Sequence, residues 1–136
     1  MPRRPPSRLP TARYSKHLEP STPIAGLSSK VIRQITEAEH QRPYGTTGDT
    51  ARAITTLKES LRQPSLALRY GIDCPCCDPR EALEVLHAIM RLLPTPARRQ
   101  MIAIVEPLSE LYERRTLPDP FAPAELPWWQ RRIRER

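Results

Sequence analysis

Three cysteines crowd into Asp73-Cys74-Pro75-Cys76-Cys77-Asp78, the stretch with the clearest capacity for chemistry. Cys74 and Cys77 stand in C-x-x-C spacing, with Cys76 between them. Thiolates so spaced hold Zn²⁺ well, which makes Cys74 and Cys77 candidate metal ligands. A closed zinc site needs four ligands and usually a second such pair, which this chain lacks. His87 does not complete the set. In a helix starting at Pro79 it lies about 12 Å along the axis, whereas zinc–ligand bonds are about 2.0–2.3 Å. His40, an aspartate or a second chain would have to finish the site. The same Cys-Pro-Cys-Cys fits the C-P-x-C pattern of a thiol redox site, placed before a helix whose positive end would lower a thiol pKa. Such sites follow a buried strand, and Leu66–Ile72 is a poor one. Asp73 and Asp78 also oppose thiolate formation. The third reading takes the thiols as small, reduced packing residues in a tight loop, and it is the one preferred here. Without a spaced, even cysteine framework, a reducing compartment is expected, hence the cytoplasm.

Other reactive side chains do not converge. His17, His40 and His87 are scattered, and no Ser or Cys sits in a nucleophile elbow. Glu84 and His87 resemble an acid–base pair, but they share a stripe with Arg80 and Arg91 that reads as a solvated ion network. There is no glycine-rich phosphate loop and no metalloprotease-type His pair. The expectation is a non-enzymatic protein without an obligatory cofactor; the alternatives are a zinc-stabilised structural module using Cys74, Cys76 and Cys77 and, further, a thiol redox enzyme.

Charge is more informative. The 136 residues carry a formal net charge of +7. Residues 1–20 hold Arg3, Arg4, Arg8, Arg13 and Lys16 against Glu19, a net +4. Residues 127–136 hold Arg131, Arg132, Arg134 and Arg136 against Glu135, a net +3. The stretch between them is neutral. A neutral body with cationic ends attracts polyanions through those ends: nucleic acid foremost, or an anionic membrane surface or acidic protein. These eight arginines are therefore the candidate nucleic-acid contacts. No apolar run approaches the roughly 18 residues of a membrane span, and no apolar stretch follows the charged start as in a secretory signal.

The elements that must position these groups read as helices. Pro2, Pro5, Pro6, Pro10, Pro20 and Pro23 deny residues 1–27 a continuous helix, so they are expected to be a disordered basic arm. Ser28 or Ser29 can cap a helix over 28–41, with Val31, Ile32 and Ile35 as its apolar stripe. Arg42–Gly48 breaks it, and Asp49 can cap a second helix over 50–62 carrying Ile54, Leu57 and Leu61. Pro64 opens a short element near 65–71. Asp78-Pro79-Arg80-Glu81 is a strong helix start, and the helix over 79–93 is apolar around most of its circumference. That pattern places it at the centre of a bundle. Thr95-Pro96 starts a last helix, about 96–115, with Met101, Val105, Leu108 and Tyr112 facing inward and a kink expected at Pro107. Arg98-Arg99-Gln100 at its start matches the placement of a recognition helix on DNA, but Glu106, Glu110 and Glu113 on the same helix repel phosphate. No stretch alternates with period two, so no sheet is expected.

Beyond Leu117, four prolines make an extended strap leading to Trp128-Trp129. Those rings could stack on bases or sit in a bilayer interface. Folding at least one of them over the core is preferred, since large aromatics are few here. That leaves Arg131–Arg136 as an extended tail. The architecture expected is a small all-α domain of four to five helices over 28–117, between the arm of 1–27 and the strap and tail of 118–136.

Cys74-Pro75-Cys76-Cys77-Asp78, Arg115-Thr116-Leu117-Pro118-Asp119-Pro120 and Trp128-Trp129-Gln130-Arg131-Arg132 together resemble a pattern of small uncharacterised proteins of high-G+C bacteria. The resemblance covers the C-terminal half and implies no function. It agrees with the basic composition, in which 19 of 22 cations are Arg, as high-G+C codons favour.

Overall fold

A computed structural model describes residues 22–64 and 77–134. The arm residues before 22 and the short element expected near 65–71 lie outside the described residues. The described part is mostly helical, with four α-helices and one two-stranded ribbon.

Helix α1 spans Ser29–Gln41, and the Ser28 hydroxyl accepts from Val31 N at 3.4 Å. Order begins ahead of this cap, because Ile24 and Leu27 pack against the core and Leu27 N donates to Ile24 O. The first helix therefore has an apolar lead-in within the stretch expected to be disordered. It ends at Arg42, whose extended backbone is what a following proline imposes. Gly45 then makes a turn that no other residue could make, since a Cβ there would lie 1.8 Å from the Glu39 carbonyl oxygen.

Helix α2 spans Asp49–Arg62, and its N-cap is Gly48 at φ 92°, not Asp49 as expected. The Asp49 carboxylate instead turns back to accept from Thr46 N and Thr46 Oγ1 at 2.8 and 2.9 Å. The real cap comes from another element. Glu39 on α1 is 2 % exposed and accepts from Gly48 N at 3.2 Å and Thr50 N at 2.7 Å. A carboxylate at a helix N-terminus satisfies otherwise orphaned amides and meets the positive end of the dipole.

Helix α3, Pro79–Leu92, follows its expected start: Asp78 accepts from Arg80 N at 2.9 Å, and Pro79 needs no donor in the first turn. Leu83, Leu86 and Ile89 are wholly buried, and α3 touches each of the other three helices. Its central place follows from its wide apolar face. Leu93 and Pro94 link it to α4, Thr95–Arg114, which runs through Pro107 as a single helix. Thr95 is the first helical residue, and no side chain caps this helix. Met101, Val105 and Tyr112 are buried as their spacing implies, with Leu108 half-buried.

Arginine closes the far ends. Arg115 donates to Leu61 O, and to Gln63 O at 2.6 Å, at the end of α2. Arg98 donates to Met90 O at 2.8 Å and Leu93 O at 3.1 Å at the end of α3. A guanidinium satisfies terminal carbonyls and complements the negative end of the dipole.

The expectation of no sheet was wrong. Strands β1, Thr116–Pro118, and β2, Arg132–Arg134, pair antiparallel, with Leu117 opposite Ile133. Three residues are too few to show alternation in a sequence. The tail therefore does not extend away from the body as expected; it folds back through residues 128–134. No described helix is long and apolar enough to cross a membrane.

Candidate functional site

The candidate site is where the strap returns the tryptophans to the helices. Asp119 N donates to Arg131 O at 2.8 Å, and turns at Asp119–Ala122 and Pro123–Leu126 shorten the path. A single 3-10 turn, Trp128–Gln130, then sets both indoles against the bundle.

Trp129 is 8 % exposed. Its ring stacks on His87 of α3 with centroids 4.0 Å apart and planes 2° from parallel. Its Nε1 donates to Glu84 Oε2 at 2.8 Å. The buried Tyr112 hydroxyl donates to Trp129 O at 2.9 Å. Burial raises the Tyr112 pKa well above a phenol's ordinary value, so it remains a donor. The stripe of α3 read as a solvated ion network is, at Glu84 and His87, the seat of an indole. The i, i+3 spacing of Glu84 and His87 and the neighbouring tryptophan pair were visible in the sequence; the loop that joins them was not.

His87 pays for this position in proton affinity. Burial lowers its pKa, Arg91 lowers it further, and Glu84 partly offsets both. Its Nε2 is buried without a hydrogen-bond partner. The neutral ring is thus the form that stacks.

Trp128 is half-buried, edge-on to Trp129 at 6.0 Å and tilted against Tyr112 at 6.0 Å. Beside it opens a cavity of about 320 Å³, lined by Pro118, Asp119, Pro120, Trp128, Arg131 and Arg132 among others. Arg132 is fixed at its edge: Nε donates to Thr116 Oγ1 at 2.9 Å, and Nη2 donates to Glu113 O and Thr116 O, each at 2.7 Å. It thereby closes the end of α4 as Arg98 and Arg115 close α3 and α2. Arg131 is half-buried, and its Nε has no partner.

The expected site residues thus separate. Arg131 and Arg132 come together beside Trp128, held in the body instead of on a loose tail. Arg134 lies in β2 opposite Thr116. Arg3, Arg4, Arg8, Arg13 and Arg136 lie outside the described residues, as do Cys74 and Cys76. Cys77 is exposed just ahead of α3. No group of three metal-ligating side chains occurs among the described residues. Arg98 caps α3, so its guanidinium is committed elsewhere than to a DNA groove.

A larger groove of about 560 Å³ runs between α2 and α3 beneath the exposed Tyr44. Its two arginines, Arg42 and Arg52, both pair with Asp49. Beside Trp128, Arg132 is bonded to a hydroxyl and two carbonyls instead, and this sets the strap cavity apart.

No family model, curated protein or solved structure matches the chain.

Proposed function

We propose that this chain is a non-enzymatic binding protein. Its cationic ends engage a polyanion, with nucleic acid the foremost candidate, while the helical body contacts a protein partner or a second copy of itself as a homo-oligomer. The observation that carries this reading is the charge layout: all of the net +7 resides in residues 1–20 and 127–136, around a neutral body. Local bonding at the C-terminal end supports it. Arg132 is held by a hydroxyl and two carbonyls, which leave its charge intact. Side chains exposed on the body support the protein-contact half. Phe121 and Tyr44 stand out at 92 % and 101 % exposure, and Phe121 N is anchored to the Asp119 carboxylate.

Binding of this kind releases counterions, so affinity falls linearly on a logarithmic salt scale. The test is a salt titration of the full chain with labelled nucleic acid, beside a variant carrying Gln at Arg3, Arg4, Arg8, Arg13 and Arg136. The expected result is steep salt dependence in the parent and a shallower slope in the variant. Salt-independent binding, or a variant that matches its parent, would overturn the proposal. Truncation at residue 130 is the wrong test, because it removes β2 and the Arg132 cap together.

A further inference from the structure

Resting on the polyanion reading, we infer that the cavity beside Trp128 takes one unpaired nucleotide, with its base on the indole and its phosphate on Arg131 and Arg132. The chain is then a binder of single-stranded nucleic acid.

Local geometry carries the inference. Arg131 follows Trp128 by three residues across the 3-10 turn, and Arg131 N donates to Trp128 O at 3.1 Å. Both residues line the same cavity, with Arg132. Trp129 and Tyr112 brace Trp128 from the body side. The Arg131 Nε is buried without a partner, and Arg132 Nη1 stays outside the bonds that fix the rest of that guanidinium. Asp119 contributes one carboxylate to the wall, with Oδ1 accepting from Phe121 N. Two guanidiniums against one carboxylate leave the cavity net positive. Pro118 and Pro120 supply rigid walls without amide donors.

A braced aromatic face beside cationic side chains is what single-strand binders use: stacking for the base, charge for the backbone. At about 320 Å³ the cavity is near the lower end of small-ligand sites, which suits one nucleotide unit. Bases inside a duplex are stacked on one another and cannot present a face to a recessed ring.

The test compares three probes on the full chain: an oligothymidylate, a duplex of equal length and inorganic polyphosphate. Affinity and tryptophan emission are followed together. The oligothymidylate is expected to quench the emission and to bind roughly tenfold more tightly than the duplex. Trp128→Leu, which keeps an apolar side chain, should lose that advantage of roughly tenfold while holding duplex and polyphosphate unchanged. Arg131→Gln should weaken the oligothymidylate more than the duplex. Equal affinity for all three probes with emission unquenched would overturn the pocket and leave the cationic-end reading standing. Binding to none of them would overturn both. Should Trp128→Leu fail to fold, the emission of the parent protein and the Arg131→Gln comparison decide the matter alone.

Discussion

Trp129 ties the strap to two helices: its indole is bonded to Glu84 and stacked on His87 of α3, and its backbone carbonyl accepts from Tyr112 of α4. Trp129→Ala should cost about 3–5 kcal/mol, the range for truncating a buried large aromatic. Tyr112→Phe, which removes only a buried donor, should cost about 1–3 kcal/mol. Urea denaturation read by far-ultraviolet circular dichroism checks both. His87 adds a pH signature. Its folded-state pKa lies below the unfolded value of 6.5, so folding favours the neutral ring. That stability is complete above 6.5 and is lost as pH falls through it towards the folded value. Denaturation midpoints should therefore drop between pH 7.5 and 5, and His87→Gln should flatten the drop. An equal drop in both proteins would contradict the stacking role. At this scale the sequence was only half legible. The fold-back of an indole could be expected from the scarcity of aromatics, but its partners, 42 and 45 residues away, could not.

The helices themselves were legible because caps and periodicity are local. Ser28, the Asp78-Pro79 start and the inward stripes of α2, α3 and α4 all fall where spacing puts them. Misreadings arose where one element finishes another. Asp49 is a good capping residue in isolation, yet Glu39, ten residues earlier, does the capping. Burial alone would raise the Asp49 pKa, but hydrogen bonds from Thr46 and Arg52 with the Arg52 charge outweigh it and hold the carboxyl below its usual value. Arg98 was read at the start of a candidate recognition helix and Arg132 as part of the C-terminal surplus of charge, yet each closes a helix end, as Arg115 does. Glu39→Ala should destabilise by about 1–3 kcal/mol, since it strands buried amides. Arg115→Met, which retains the apolar stem, should cost less, about 0.5–1.5 kcal/mol, because water can reach Gln63 O once the guanidinium is gone. Hydrogen exchange should localise the first loss to the start of α2 and the second to its end. Uniform loss across all four helices would contradict the division of labour.

Across the whole molecule, two kinds of arginine must be distinguished. Some hold the bundle together, and others make up the excess of charge at the two ends, which the proposal makes the means of attracting a polyanion. The sequence alone showed where that excess lies. It did not show that part of the C-terminal excess is built into a ribbon beside an indole, because a three-residue strand pairing depends on the path of the strap. The proposal therefore makes a divided prediction: neutralising the arm should change long-range attraction, and neutralising Arg131 should change the choice of ligand. The most direct test of the central claim is the slope of affinity for a single-stranded oligonucleotide against salt concentration on logarithmic axes. The account predicts a steep negative slope, shallower by about 0.7 for each phosphate contact removed with an arm arginine. A flat slope, or one untouched by replacing Arg3, Arg4, Arg8 and Arg13, would contradict it.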